Sequence, residues 1–552
     1  MTAESPARTV SLQRPRATRL ALDQLVHATQ ELWRTRVVFV FTFLFPLTWL
    51  IVIGFLAGNA TVDEATGVRV MQFVTPTAIA MGVLYAAFPT VAISLSTARD
   101  QKVLKRVHGT PLPAWVYLVG RIGSAVVFAV GSVLTMLLVG VVVYDVQIVW
   151  RTAPATLVTL VVGVASFAAL GLAVAALAPS APVAQAASIA GAVVLGFLSG
   201  LFTVGELPGW ASATAAVFPL KPFADALRHQ FTPFHPGSGW DLDALGVLLA
   251  WGLAGAVIAA LAFRWEPARG KAGRAAPAAS APPAAPQPAR SLRASTPGRP
   301  GDAALLLAQV RWALLTTWRD PGSVFFAVVM PVAIFAFTMT ITGSADADAA
   351  GVPFGLSLAA GMTTWGTAVA SFVNLPGTVA VARDRGVLKR LRGTPLPLGL
   401  HLAGQTASAL LVALLTGVLV LGVGSVFLDV PVSFTGIPLA ITLLVLGTAT
   451  LAACGFALTG ALPSSKAVTA VGLGILLPLS FFSDVFPTGH TPAWMSTVGE
   501  FLPLKHLADG LADALHPGGP SVDWVGIGVL VAWLVAAGLL AARTFRTDGD
   551  TA

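Results

Sequence analysis

The stretch that decides the fold of this 552-residue chain reads RDQKVLKRVHGTPLP at positions 99–113. It returns as RDRGVLKRLRGTPLP at positions 383–397, and long apolar runs flank both copies. In the first copy Asp100 is a suitable helix N-cap and Gly109 is a suitable stop, which predicts a basic helix of about two turns. The sequence therefore predicts two equivalent basic helices, each at a membrane face.

Each predicted helix carries one narrow apolar stripe on an otherwise cationic surface. The stripes consist of Val103, Leu104 and Val107 in the first copy and of Val387, Leu388 and Leu391 in the second. A helix this short is unstable unless it packs against another surface, so we expect the stripe to dock on a partner. Alternatively, the charges only fix the orientation of the protein in the membrane, but orientation alone requires neither a repeated stripe nor a repeated Gly-Thr-Pro stop.

The composition defines the class of protein. The chain is 56% hydrophobic and only 11% charged, with a mean hydropathy of +0.81, which is typical of a polytopic membrane protein. Its net charge of +8 comes from Lys and Arg at the edges of apolar runs, so we expect no binding of nucleic acid. Cys454 is the single cysteine, which excludes an internal disulfide. The first 36 residues show no pattern of a cleaved signal peptide.

Twelve apolar runs are long enough to cross the hydrocarbon core of a bilayer as helices. In the first half of the chain they are 37–58, 71–98, 114–144, 155–178, 183–204 and 244–263. In the second half they are 324–341, 354–382, 398–428, 437–462, 467–482 and 525–542. Prolines inside these runs, such as Pro46 and Pro89, are tolerated if neighbouring groups satisfy the carbonyls that they leave unpaired. The predicted fold class is an all-α polytopic membrane protein with twelve transmembrane helices in two parallel repeats of six.

The polar segments between the runs divide the chain into six parts. We assign 1–36 to a cytoplasmic basic tail and an interfacial helix, 37–264 to the first six-span half, 265–300 to an Ala/Pro-rich cytoplasmic linker, 301–320 to a second interfacial helix, 321–543 to the second six-span half and 544–552 to a cytoplasmic tail. The excess of Lys and Arg places the basic loops, the linker and both termini in the cytoplasm. A parallel duplication also predicts a pathway between the two halves.

A second motif recurs between the fifth and sixth spans of each half. Lys221 precedes Asp225 by four positions, as Lys505 precedes Asp509, and a proline marks the start of each predicted helix. Acidic residues outnumber basic ones in both of these loops, and we therefore place both loops outside. Two interpretations stay open at this point. The helix either re-enters the membrane and caps the outer end of the pathway, or it lies at the interface and ties the fifth span to the sixth.

The sequence also indicates the source of energy. It contains no Gly-rich phosphate loop ending in Gly-Lys-Ser or Gly-Lys-Thr, so we do not expect this chain to hydrolyse ATP by the P-loop route. Buried acids that could carry a coupling proton are almost absent from the apolar runs, and Arg121 lies near the inner end of its span, where it can snorkel. We therefore expect a transport component that is not an enzyme, holds no cofactor and takes its driving force from a partner.

Taken together, these motifs resemble the ABC type-2 transporter permease family over nearly the whole chain, twice. The usual member of that family is one half that dimerises, whereas this chain fuses two. The resemblance implies the membrane part of an ATP-driven exporter in the bacterial inner membrane, with multidrug efflux or antibiotic resistance as examples of its role. ATP and Mg would bind to a separate nucleotide-binding subunit, present in two copies. The chain departs from the commoner pattern at Gln101 and Lys102, where Arg385 and Gly386 stand in the second copy.

In this family the basic inner loop serves as the coupling helix that contacts the ATPase. The resemblance assigns that role to Arg99, Asp100, Val103, Leu104, Lys105, Arg106, Val107 and Gly109, and to Arg383, Asp384, Val387, Leu388, Lys389, Arg390, Leu391 and Gly393.

The resemblance further implies that spans two and five of each half face across the axis between the halves. Candidates for the wall of a substrate path are Phe88, Thr90, Phe372 and Asn374 in span two and Phe197, Phe202, Phe481 and Phe486 near span five. Such a mostly apolar wall suits an amphipathic or lipid-like substrate, although ordinary helix packing explains each aromatic residue equally well. The main alternative is an ion-driven secondary transporter of parallel 6+6 design, and a membrane scaffold or immunity factor is a third.

Overall fold

The computed structural model describes residues 17–33, 36–57, 60–63, 67–109, 114–201, 208–234, 237–263, 301–342, 352–486 and 493–545. The helices of the first half are α1 Ala17–Trp33, α2 Arg36–Phe39, α3 Phe45–Ala57, α4 Met71–Asp100, α5 Val103–His108, α6 Ala114–Tyr144, α7 Ala153–Leu177, α8 Ala181–Leu198, α9 Gly209–Ala216, α10 Leu220–Phe231 and α11 Leu242–Ala262. A short antiparallel pair, β1 Thr61–Asp63 and β2 Val68–Arg69, lies between α3 and α4.

The second half repeats this order. Its helices are α12 Asp302–Trp318, α13 Pro321–Val324, α14 Met330–Thr342, α15 Phe354–Ala368, α16 Leu375–Asp384, α17 Val387–Arg392, α18 Leu398–Phe427, α19 Ile437–Ala461, α20 Ser465–Phe482, α21 Ala493–Gly499, α22 Pro503–Ala514 and α23 Trp524–Thr544. Segments of π-helix at Val40–Leu44 and Phe325–Val329 join α2 to α3 and α13 to α14, and another at Val369–Asn374 joins α15 to α16.

Eleven of the described helical segments are long and apolar enough to cross a membrane, and a shorter apolar helix at Phe41–Phe55 lies where the first span is predicted. This confirms the predicted all-α fold with two repeats. Within each half, span two is the central helix: 89% of its apolar window is buried in α4 and 94% in α15–α16, against 28% in α6. A helix enclosed by other helices does not need a lipid-facing surface, which explains why span two has a lower mean hydropathy than α6.

The prolines inside the spans are accommodated as expected. Proline lacks an N–H group, so Pro46 leaves the carbonyl of Thr42 unpaired, and the Ser132 hydroxyl donates a hydrogen bond to that carbonyl at 2.9 Å. In the second half Pro331 leaves the carbonyl of Ala327 unpaired, and a threonine hydroxyl of α18 donates to it at 2.8 Å. Both carbonyls belong to equivalent π-helical segments, so the duplication has preserved this local solution in both halves.

The contact between the halves is formed mainly by spans one and five. Span one of each half packs against span five of the other, with α2 and α3 on α20, and α13 and α14 on α8. Ring pairs line this contact: Phe41 with Phe326 at 6.5 Å, Trp49 with Phe481 at 6.1 Å and Phe197 with Phe337 at 5.9 Å between centroids. Span five of each half therefore faces across the axis, whereas helices of its own half enclose most of span two.

Candidate functional site

The two predicted basic helices are present as α5 and α17, and they begin later than predicted. Span two continues through Asp100 and through Asp384, and each basic helix starts only after one residue in the left-handed region. That residue is Lys102 with φ 59° in the first half and Gly386 with φ 67° in the second. The prediction that Asp100 caps α5 is therefore wrong. The predicted stop at Gly109 is confirmed, since this residue follows the last residue of α5.

Asp100 and its neighbour Arg99 instead bind the ends of two other helices. The Arg99 guanidinium, only 3% exposed, donates to the carbonyls of Ala175 at 2.8 Å and Ala178 at 2.5 Å, where α7 ends. The Asp100 carboxylate accepts a hydrogen bond from the Ala181 N–H at 2.7 Å, where α8 begins. A cation at a helix C-terminus and an anion at a helix N-terminus both complement the helix dipole and the unpaired backbone groups there.

The second half builds the same arrangement. Arg383, 5% exposed, donates to the carbonyls of Thr459 at 2.5 Å and Leu462 at 2.9 Å, and the Asp384 carboxylate accepts from the Ser465 N–H at 2.8 Å. We call Arg99 with Asp100, and Arg383 with Asp384, the anchor pairs. Each anchor pair joins the end of span two to the junction of spans four and five.

The apolar stripe of each basic helix faces into the permease. Leu104 and Leu388 are completely buried, and Leu104 packs with Leu95 and Tyr117 of its own half. The prediction that these two leucines contact a partner is therefore wrong, because the short helix uses them to pack on its own spans. The remaining stripe residues are half-buried: Val103, Val107, Val387 and Leu391. The outward surface consists of exposed cations: Lys105, Arg106, Lys389, Arg390 and Arg392.

The basic helices and the second repeated motif lie at opposite ends of span two. In the first half α10 packs at the start of α4, where Gln72 donates to the Phe231 carbonyl at 2.6 Å and Arg228 donates to the Thr77 hydroxyl at 3.0 Å. The helix α5 follows the other end of α4. The rise of an α-helix separates these ends by about 40 Å, which is more than the hydrocarbon thickness of a bilayer.

The predicted ion pairs of this motif are confirmed. In α10 the Lys221 ammonium lies 2.8 Å from the Asp225 carboxylate, and Arg228 shares the same carboxylate at 3.2 Å. In α22 Lys505 lies 3.2 Å from Asp509. The first cluster thus places two cations on one carboxylate.

The second cluster reverses this ratio, because Lys505 also pairs with Asp484 at 3.5 Å. Burial raises the pKa of both carboxyl groups, Asp484 and Asp509, although Lys505 opposes that rise. For Lys505 burial acts to lower the pKa, but the two carboxylates outweigh it and the pKa is raised. Both motif helices bury their apolar sides against spans two, four and six of their own half.

The candidate wall residues of span two have different surroundings. Phe88 and Phe372 are buried, and the Thr90 hydroxyl donates at 2.9 Å to the Tyr85 carbonyl, which Pro89 leaves unpaired. Ordinary packing and backbone pairing therefore account for Phe88 and Thr90. Asn374 is different, because its side chain lines two cavities.

Among the candidates near span five, Phe197 and Phe481 lie at the contact between the halves described above. Phe486 packs on Trp365 at 5.2 Å, and Phe202 lies outside the described residues. Sequence reasoning missed Phe41 and Phe326. The sequence contained a pattern that could have identified them, because they stand at equivalent positions of the repeat, each five residues before a proline.

Two neighbouring cavities open in and beside the second half. One, of about 520 Å³, lies among α12, α13, span two and α18. The other, of about 480 Å³, lies between the halves, where α8 faces α13 and span two. Asp320, Ser323, Val373, Asn374 and Thr469 line both cavities. Within the described ranges, no group of three or more His, Cys, Asp or Glu side chains could hold a metal ion.

Comparison with known families agrees with this architecture. The ABC-2 type transporter family matches residues 25–232 and again 305–516, which together make up well over half of the chain. The chain therefore belongs to the ABC-2 type transporter family and contains two fused permease halves. It is a multi-pass membrane protein and a transport component, and its family implies an ATP-binding partner subunit. No curated protein matches the chain.

Proposed function

We propose that this chain forms the complete membrane domain of an ATP-driven exporter in the bacterial inner membrane. On this proposal it moves an amphipathic or hydrophobic molecule, such as a drug, an antibiotic or a lipid, outward. ATP and Mg²⁺ bind to a separate nucleotide-binding subunit, present in two copies, while the permease itself holds no cofactor. The two family matches in one polypeptide support this arrangement, because a single chain then supplies both halves of the permease.

The observation that carries the proposal is the equivalence of α5 and α17. Each is fixed by an anchor pair, each buries one leucine, and each presents a Lys-Arg pair to the outside: Lys105 with Arg106, and Lys389 with Arg390. Exposed cations of this kind suit a partner with acidic groups, and they favour the cytoplasmic side, where ATP is available. The termini are then cytoplasmic as well.

The test reverses the outward charges and follows the partner. In the full-length tagged chain, K105E/R106E and K389E/R390E should each weaken co-purification of the P-loop ATPase that is recovered with the wild-type chain, and the combined variant should abolish it. Reconstituted with that ATPase, the combined variant should also lose the stimulation of ATP hydrolysis by the permease. The matched control is R19E/R311E, which reverses two exposed charges on α1 and α12.

Three results would overturn the proposal. The first is that no P-loop ATPase co-purifies with the wild-type chain. The second is that the combined variant keeps its partner while remaining correctly inserted, as judged by size-exclusion elution. The third is substrate movement in vesicles under an ion gradient with no ATPase present, which would support the alternative, an ion-driven secondary transporter.

A further inference from the structure

We propose that a binding site for an uncharged amphipathic ligand lies in the second half and at its contact with α8 of the first, with Gln405 and Ser408 as its hydrogen-bonding groups. That the ligand is the transported molecule rests on the proposed function, whereas the site itself does not. The two cavities described above form the site. Each is within the range of about 300–1,000 Å³ that is usual for small-molecule pockets.

The wall of the larger cavity contains polar groups that are not paired within the protein. Gln405 is 7% exposed and Ser408 is 3% exposed, both line the cavity, and neither side chain hydrogen bonds to any residue in the described part of the chain. Polar groups that face a cavity take their hydrogen bonds from water or from a ligand. Their position in a cavity of drug size favours a ligand.

The remaining lining defines the chemical class of that ligand. Asn374 and Thr469 add further uncharged polar groups, while Val373 and Val412 supply apolar surface. The charged residues that line the two cavities, Arg319, Asp320 and Arg385, are exposed, and the Asp320 carboxylate already accepts from the Gly322 N–H and the Ser323 hydroxyl. No charge inside the cavity demands a counter-ion, so an uncharged molecule with hydroxyl or amide groups and an apolar body fits best.

In the equivalent region of the first half, partners within the protein pair most of the polar groups, although Arg121 Nη1 is buried without one. Arg121 stands where the second half has Gln405, and its guanidinium lies 2.8 Å from the carboxylate of Glu31, the equivalent of Thr316. Its Nε also donates to the Tyr117 hydroxyl at 3.0 Å. Ser124, the equivalent of Ser408, donates to the Arg121 carbonyl at 2.8 Å. An ion pair between α1 and α6 therefore takes the place of the polar groups that face the cavity in the second half.

The first half is also filled by larger side chains. Phe128, Ile93 and Val38 stand where the second half has Val412, Gly377 and Ser323. The cavity bounded by Val38, Thr90 and Ile93 measures about 10 Å³, against about 480 Å³ for its counterpart. That volume is at most enough for one water molecule. The cavity is thus closed by side chains in the first half and open in the second.

The experiment uses photolabelling of the full-length chain in lipid nanodiscs. The probe is a long-chain alcohol that carries a diazirine, and mass spectrometry locates the labelled peptides. We expect α18 around Gln405 and Ser408 to be labelled about fivefold more than α6 around Arg121 and Ser124, because α18 lines a cavity of about 520 Å³ whereas the first-half cavity of about 10 Å³ cannot hold the probe. Excess unlabelled alcohol should remove the difference. The peptides of α6 control for labelling from the lipid surface.

Variants exchange the walls of the two halves. T316E/Q405R transfers the ion pair and should reduce labelling of α18 to the level of α6, and V412F should do the same by filling the cavity with the residue of the first half. Conversely, E31T/R121Q should raise labelling of α6. Equal labelling of α6 and α18 in the wild type would overturn the proposal. Unchanged labelling of α18 in V412F, with normal size-exclusion elution, would do so too. Neither ATPase nor transport enters this experiment, so its outcome is independent of the proposed function.

Discussion

Arg99 and Arg383 make equivalent pairs of hydrogen bonds in the two halves, whereas Arg121 of the first half faces no arginine in the second but Gln405. The end of span two that carries the anchor pair is therefore alike in the two halves. The cavity walls that spans two and three form are different. The Lys-Asp clusters of α10 and α22 differ as well, with two cations on Asp225 in the first half and two carboxylates on Lys505 in the second.

On the two proposals made above, this contrast separates two tasks within one duplicated fold. The anchor pairs would transmit displacement from α5 and α17 to the spans, a task common to both halves. The walls would determine which ligand fits between the helices, and one open wall is enough to admit it. A homodimer of a single half could not separate these tasks, because any change would appear on both sides.

The largest expected effect is loss of an anchor pair. Arg99→Ala leaves the carbonyls of Ala175 and Ala178 buried without their cationic donor, which should cost about 3 kcal/mol of unfolding free energy. Arg383→Ala should cost the same, because its surroundings are equivalent. Unfolding in SDS titrations measures both, and hydrogen exchange should increase at the ends of α7 and α19.

The control for the anchors is Arg106→Ala, which removes an exposed cation of α5 and should change stability by less than about 0.5 kcal/mol. Unequal losses for the two anchor arginines would show that the halves differ at this end of the molecule too. Such a result would contradict the equivalence of the two anchor pairs.

A smaller effect is expected where the walls differ. Arg121→Ala removes a buried guanidinium that bonds Glu31 and Tyr117, and should cost about 2 kcal/mol because Glu31 remains half exposed to water. Gln405→Ala should cost less than about 0.5 kcal/mol, since its amide has no partner to lose. The same unfolding assay compares the two variants. Equal costs would mean that Gln405 is paired in the membrane and that the walls are alike.

The smallest change in stability is expected at the Lys-Asp clusters of α10 and α22. Asp225→Asn leaves Lys221 and Arg228 without their shared carboxylate, whereas Asp509→Asn leaves Lys505 its second partner. The first variant should therefore be less stable than the second by about 1 kcal/mol, and high salt should reduce the gap. Thermal unfolding in detergent at two salt concentrations measures this, and a gap of the opposite sign would contradict the assigned ratio of charges.

The second cluster should also respond to pH. Because burial raises the pKa of Asp484 and Asp509, the folded state binds protons more tightly than the unfolded state. Its contribution to stability therefore rises as the pH falls from neutral through the raised pKa values, and the rise is complete below the ordinary Asp value of about 4. Asp509→Asn should reduce this dependence.

Much of the architecture was predictable from local pattern. Run length gave the spans, the offset between Arg99 and Arg383 gave the duplication, and a four-residue spacing gave the pair of Lys221 with Asp225. Run length and the four-residue spacing are properties of neighbouring residues on one helix, and the repeat is visible in the sequence itself. None of the three requires knowledge of the tertiary contacts. The inward direction of Leu104 was not predictable in this way, because a stripe on a short helix is equally consistent with packing on its own chain and on a partner.

The sequence by itself determined that this is a duplicated membrane protein with two basic helices at one end of span two and two charged helices at the other. Only the tertiary structure decided what Arg99 and Asp100 bind, because their partners lie 76 to 81 residues further along the chain. It also decided that span one meets span five of the other half. The reason is that almost every side chain in a span is apolar, so the contrast in polarity that marks a buried face in a soluble helix is absent.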